Sequence, residues 1–491
     1  MNALSKLRLL LSLFLFIFLA STGFALGSQV GDTDQELLGL WQMDLEDKGS
    51  ATTVFLDIRP SESDTLVCLL HVTDFGIRNA PYGKFVLTSD SIYLPGFSAR
   101  YNSSEKTISG VFFALGSKKE VELYKVSALP EFQLSCPERK ADKQFKSGGA
   151  IWSRPVIHLG RILFGNDDGE FTCLNSSDWS VEWQFKCTTA IRSTALVENG
   201  KVVFSSDDGY LYSLDVVTGD LRWKAHIGND AAPRIKLSKT GGGGYDYMCS
   251  SPVSNKQYIF IGSLDSSVYA VDKNDGQVKW RHKTNGRVRS TATIVGDTLY
   301  IGSWDNHMYA FSAVDGSLIW KFDTGGPIQS SPLVVDDKVI FGSRAAWIFG
   351  FNRHSGAEAW KTIYWGSWVE SSPIYFDGSV YIGSSDFQKV NVLDPQTGNV
   401  LQSSKVQGWA WADPALTQKY IYQGAVGSLQ IERKLVGGLY AFDRATGEPM
   451  WQFKSEANAD VFVFGVGASP TAADGMVVFG GLDGVLYGIE E

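Results

Sequence analysis

Hydrophobic positions in this chain come in short runs, not in the three-and-four spacing of a surface helix. Two adjacent stretches show the pattern most plainly. Tyr258-Ile259-Phe260-Ile261-Gly262-Ser263-Leu264-Asp265 is followed by Val268-Tyr269-Ala270-Val271-Asp272, then by Gly276 and Trp280. Leu299-Tyr300-Ile301-Gly302-Ser303-Trp304-Asp305 is followed by Met308-Tyr309-Ala310-Phe311, then by Gly316 and Trp320. Gly262 and Gly302, Tyr269 and Tyr309, and Trp280 and Trp320 each stand forty positions apart. Short apolar runs bounded by Gly, Asp and Ser read as strands joined by tight turns. A period in this range marks a repeat array.

The period continues from about residue 144 to the end of the chain. Gly-x3-Trp recurs at Gly219/Trp223, Gly276/Trp280, Gly316/Trp320, Gly356/Trp360 and Gly447/Trp451. One unit keeps Gly398 but has Gln402 for the Trp, and the first keeps Trp183 but has Trp179 where the Gly is expected. Glycine suits a turn position with positive φ, and the indole four residues on can fill the wedge between one sheet and the next. A second mark, Ser-x-Pro or Ser-x-Ala, opens an apolar run at Ser153, Ser193, Ser250, Ser290, Ser330 and Ser371, with degenerate forms at Ala412-Asp413-Pro414 and Ala468-Ser469-Pro470. Eight units result, each with four strands, which is the content of a propeller blade. The last unit ends at Ile489 without a Trp strand. Gln144-Phe145-Lys146 resembles the residues after Trp183 and Trp451, so it is expected to add the missing outer strand and close the ring.

Residues 35–128 lack the repeat. Runs such as Thr53-Val54-Phe55-Leu56-Asp57-Ile58 and Leu66-Val67-Cys68-Leu69-Leu70-His71-Val72 alternate with period two between polar turns. The expected architecture is therefore all-β: an eight-bladed β-propeller of four-stranded blades over 144–491, preceded by a small antiparallel β-barrel-like domain over 35–128. Residues 129–143, with Pro130 and Pro137, read as the linker. Gly39-Leu40-Trp41-Gln42-Met43 and Ile108-Ser109-Gly110 give the first domain a lipocalin-like resemblance. His71 there reads as a strand residue, not a ligand.

The start of the chain changes the cellular picture. Lys6 and Arg8 precede an apolar run, Leu9 to Ala20, and Gly23-Phe24-Ala25 is a small-x-small cleavage site. Residues 1–25 read as a signal peptide, so the protein is expected to be exported and periplasmic, cell-surface or secreted, with no integral membrane segment after signal removal. The formal net charge of -9 argues against a nucleic-acid partner. Five cysteines leave at least one thiol unpaired within the chain, and Cys173 and Cys187 read either as a hairpin disulfide or as buried free thiols.

The Ser-Ser-Pro, Gly-Ser-x-Asp, Tyr-Ala-x-Asp and Gly-x3-Trp marks resemble the pyrroloquinoline-quinone repeat over residues 144–491. That family includes quinoprotein alcohol dehydrogenases and the non-catalytic propeller subunit of the outer-membrane β-barrel assembly machinery. The enzymes' resemblance implies a catalytic Asp, a calcium site of Glu, Asn and Asp type, and often a vicinal disulfide. This chain has no adjacent cysteines, no HExxH, no zinc spacing and no Cys-x-x-Cys-His. No catalytic residue and no metal ligand is assigned. No cofactor is expected, except the quinone with calcium under the enzymatic alternative.

The informative positions are those the copies do not share. Residues just before each inner strand ring the central funnel on one face. They supply Trp152, Arg192, Arg289, Gln329, Glu370 and Trp411, with Arg287, Trp368 and Trp409 two residues earlier. Arginines at one mouth suit a carboxylate or phosphate, and tryptophans suit a planar ring. Two interruptions of the period, 229–248 and 426–437, fall on the same face. The leading expectation is a non-catalytic binding or scaffold protein of the cell envelope, using that face for an envelope protein or a small-molecule ligand. The rivals are a quinone-dependent dehydrogenase and a carbohydrate or peptide sensor.

Overall fold

The computed structural model describes residues 32–491 apart from 48–49, 61–65, 73–76, 85, 88–90, 95–96, 115–116, 129–133, 229–244, 365–366 and 430–434. The expected signal segment, 1–25, lies outside the described residues. The chain divides into two compact units, Met1–Phe132 and Gln133–Glu491.

The first unit opens with a six-residue helix, α1, Asp32–Leu37. Nine strands follow: β1 Gly39–Asp47, β2 Ser50–Pro60, β3 Leu66–Val72, β4 Ile77–Lys84, β5 Val86–Leu87, β6 Ser91–Leu94, β7 Phe97–Asn102, β8 Thr107–Ala114 and β9 Ser117–Val126. They form one antiparallel sheet in the order β4-β3-β2-β1-β9-β8-β7-β6-β5. Strand β1 pairs β9 through Leu40↔Val126 and Gln42↔Tyr124, which joins the two halves. The sheet curls round one core. Val54, Leu56, Cys68 and Leu70 from one half meet Ile92, Leu94, Phe97 and Phe112 from the other, beneath Trp41. The Trp41 indole donates to Leu37 O at 2.8 Å, so α1 covers one end of that core. Edge strands β4 and β5 do not pair, which leaves a half-barrel open on one side. His71 is buried with Nε2 3.7 Å from Asp57 Oδ2.

The second unit is an eight-bladed propeller. Each blade is a four-stranded antiparallel sheet, in sequential order in the first seven, and the seventh carries an extra short strand, Phe464–Gly465, on Val426 and Gly427. The ring closes as the sequence predicts: Lys143–Lys146 pairs the last strand, Val485–Glu490, through Phe145↔Leu486. Chain upstream of that strand is held too. Gln452 N donates to Pro137 O at 2.9 Å, and Arg139 N donates to Gln452 O at 2.8 Å.

The repeat marks are the wiring of the blades. Middle strands such as Tyr258–Gly262 and Ser267–Asp272 are buried on both faces between neighbouring blades. Outer strands such as Leu318–Asp323 bury chiefly the Trp. That indole lies against the turn glycine of the next blade: a Cβ on Gly219 would stand 2.7 Å from Trp183, and one on Gly356 2.7 Å from Trp320. The same indoles donate to carbonyls one blade on, Trp183 to Val216 O at 3.2 Å and Trp320 to Arg353 O at 2.9 Å. The Asp of Gly-Ser-x-Asp accepts from the Tyr four residues later, 2.7 Å in both Asp265–Tyr269 and Asp305–Tyr309. The first Ser of Ser-x-Pro accepts from the second strand, as in Gly262 N to Ser250 Oγ at 2.9 Å.

The first blade departs from this scheme for a packing reason. The strand that closes the ring offers no indole, so no glycine is needed against it. Trp179 sits there at φ 61° and packs its own ring against Phe145, Val478 and Leu486. The indole of this seam comes from the following blade instead of the preceding one. All five cysteines are free thiols, and Cys173 and Cys187 are buried separately.

Candidate functional site

Strand direction decides which loops share a face. Inner strands all run one way, so the connection into each inner strand and the connection after each second strand lie together. Residues 227–252 lead into the inner strand Val253–Ser254, and 428–437 follow the second strand Tyr420–Gly427. The described ends of the two insertions therefore leave and rejoin the ring on one face, as the sequence predicts.

The described end of the first insertion, Tyr245 to Met248, lies in the collar. Asp246 is buried and pairs with both Arg287, at 2.5 Å, and Arg289. Tyr247 is sandwiched between Trp152, with centroids 5.1 Å apart, and Trp411, at 4.4 Å. Tyr245 stands edge-on to Trp368, at 5.6 Å, and to Trp411, at 6.0 Å. Trp409 stacks on Trp411 at 4.8 Å. Arg192 is held by Asp167 at 2.6 Å and donates to Tyr247 O at 3.3 Å. Glu370 is buried and pairs with Arg344 at 2.6 Å. Gln329 accepts from Arg344 at 3.4 Å.

All nine predicted residues thus ring one mouth. The arginines proposed for an anionic ligand do grip carboxylates, but those of the chain itself. The tryptophan faces proposed for a planar ring are covered by the chain's own tyrosine. Arg344 is sandwiched between Trp304 and Trp368, 4.7 and 4.5 Å from their ring centroids. Burial pushes its pKa down to about 10, and burial together with the Asp386 carboxylate pushes the Glu370 carboxyl up.

Sequence reasoning reached Asp246 and Tyr247 only as part of the 229–248 insertion, and it missed the others that complete the collar: Asp167, Trp304, Arg344, Ser385 and Asp386. Four of them share a signal. Asp167, Trp304, Arg344 and Ser385 each occupy the x of a Gly-Ser-x-Asp position or its equivalent. The backbone N–H of this residue bonds the connection into the neighbouring inner strand, as Trp304 N to Arg287 O at 2.9 Å and Ser385 N to Trp368 O at 3.0 Å. The variable x therefore forms a second ring beside the first. From it the Ser385 hydroxyl accepts from the Trp411 indole at 2.9 Å.

The residues present do not fit a quinone with calcium. Asp246 is committed to two arginines and Glu370 to a third, so both carboxylates are already engaged within the chain. No group of three His, Cys, Asp or Glu that could hold a metal occurs among the described residues. The cysteines are separate.

Comparison with known proteins gives the relationship. The family of the outer membrane protein assembly factor BamB matches at 137–242, 230–363, 264–408 and 344–491. The chain belongs to the BamB family. The match begins at residue 137, so the N-terminal curled sheet lies outside it. BamB from Moraxella catarrhalis is 15% identical, with a TM-score of 0.56, over 72% of this chain and 99% of that one. The computationally designed Ika8 protein is 16% identical, with a TM-score of 0.57, over 70% and 98%. A europium-containing methanol dehydrogenase is 12% identical, with a TM-score of 0.53, over 70% and 85%. No curated protein matches the sequence. At these identities the structural likeness shows the fold alone. A designed protein and an enzyme share that fold, so it assigns no activity.

Proposed function

We propose that this chain is an exported, non-catalytic binding or scaffold protein of the cell envelope, engaging a protein partner through the propeller face that carries the two insertions. The observation that carries this reading is the seating of Tyr245–Met248 in the collar. A face whose stacking surfaces and arginines are already taken by its own chain offers its rim to a partner. Membership of the BamB family, described as an outer membrane assembly factor, supports the envelope and a protein partner. No helix among the described residues is long and apolar enough to cross a membrane. The net charge of -9 disfavours nucleic acid.

Site-specific photo-cross-linking tests the reading. Asp168 and Asn285 are exposed on connections of the insertion face, whereas Asn199 and Val314 lie on turns of the opposite face. Cross-links to an envelope protein are expected from the first pair and not the second. Equal cross-linking from both faces would overturn the choice of face. Stoichiometric binding of pyrroloquinoline quinone with calcium, together with dye-linked alcohol oxidation, would replace the scaffold with the enzyme.

A further inference from the structure

Below the collar a cavity of about 370 Å³ runs among the inner strands, with Tyr247 and Met248 on its wall. That volume lies within the range of small-molecule sites. Two buried polar groups on the wall lack a hydrogen-bond partner among the described residues. They are the Gln329 amide nitrogen, on a residue 3% exposed, and the Tyr247 hydroxyl, on one 1% exposed. A buried donor left unmade is costly, so each is open to an acceptor that the described residues do not supply.

The rest of the wall is rich in donors. The middle residues of the Ser-x-Pro marks form a ring. Thr194 N donates to Ser251 Oγ at 2.9 Å, Ser251 N to Thr291 Oγ1 at 2.9 Å, Thr291 N to Ser331 Oγ at 3.0 Å, and Ser331 N to Ser372 Oγ at 3.1 Å. Each hydroxyl oxygen is used as an acceptor, which leaves its proton to donate. The carboxylate in the ring, Asp413, is already engaged. One oxygen accepts from Ser372 N at 2.6 Å and the other from Arg154 at 3.2 Å. Arg154 spends one guanidinium nitrogen on that pair and has further N–H donors. Deeper in the channel Pro252, Pro332 and Leu333 supply apolar wall.

We propose that the channel binds a small organic carboxylate: an acceptor-only head on Gln329, Tyr247 and the hydroxyl ring, with an apolar body on the proline-lined wall. The site shares Tyr247 and Gln329 with the collar's inner side but is distinct from the rim assigned above to a protein partner. Its success or failure leaves that reading untouched.

The test uses the full chain with benzoate as the probe and benzyl alcohol as its neutral counterpart, followed by calorimetry and tryptophan fluorescence. One benzoate per chain is expected, with benzyl alcohol at least about tenfold weaker, because the alcohol accepts fewer hydrogen bonds and carries no charge. Gln329→Glu keeps the acceptor for Arg344 and places a carboxylate against the ligand, so binding should be lost. Arg154→Gln, on a part-exposed side chain, should weaken binding about tenfold. Circular dichroism confirms that each variant is folded, and Arg154→Gln serves alone if Gln329→Glu is not. Absence of benzoate binding in the millimolar range would overturn the proposal. Equal binding of benzyl alcohol, or benzoate binding unchanged in the folded variants, would do the same.

Discussion

Tryptophan does different work at the blade seams and in the collar. At a seam, Trp183 or Trp320 lies on the glycine of the next blade and donates to its backbone. Both partners are set by position within the repeat, so the five seams from Trp183 to Trp360 look alike. In the collar, Trp152 and Trp411 clamp Tyr247, while Trp304 and Trp368 clamp Arg344. Their partners come from an insertion and from variable loop positions. The same side chain thus serves as periodic framework in one place and as part of a single, unrepeated constellation in the other. Trp411 is fully buried in that constellation, so it also contributes packing.

The largest effect is expected where the collar depends on charge. Asp246→Ala leaves Arg287 and Arg289 without their carboxylate, and Arg289 is buried. A loss of about 3–5 kcal/mol in denaturant unfolding is expected. A loss under about 1 kcal/mol would show that the insertion is not held by this ion pair. Trp320→Ala should cost about 3–4 kcal/mol, because it opens a seam and removes the bond to Arg353. An equal cost for Trp411→Ala would place collar packing on the same footing as the seams. Trp179→Gly relieves a positive φ worth about 1 kcal/mol but removes the indole that fills the closing seam. A net loss of about 2 kcal/mol is expected, and a gain would contradict the exchange of indole between blades. The smallest contrast compares two glycines. A Cβ on Gly316 would stand 2.6 Å from Trp280, whereas one on Gly296 meets nothing within 4 Å. Gly316→Ala should therefore lower the melting temperature more than Gly296→Ala, whose cost of about 1 kcal/mol is backbone strain alone.

The collar's floor was legible in part. Positions before Ser-x-Pro had to meet at the funnel because every inner strand begins there, and Trp152, Arg192, Arg289 and Trp411 do so. Arg344 and Trp304 were equally reachable through the x of Gly-Ser-x-Asp, which turns on the same face. In the first unit, alternation located strands such as Leu66–Val72. Strand β7, Phe97–Asn102, escaped because its short run, Phe97 and Ala99 facing the core with polar residues between, is weak in hydrophobicity.

The sequence by itself determined the blade count, the closure by Gln144–Lys146 and the face of the insertions. Those follow from turn chemistry and nearest-neighbour packing, which repeat with the chain. Only the tertiary structure decided that Asp246 answers Arg287 and Arg289 and that Tyr247 fills the gap between Trp152 and Trp411. These partners are separated by 41 to 164 positions, and no local preference encodes them. They meet because a closed ring brings blades one, three, four and seven to a common mouth.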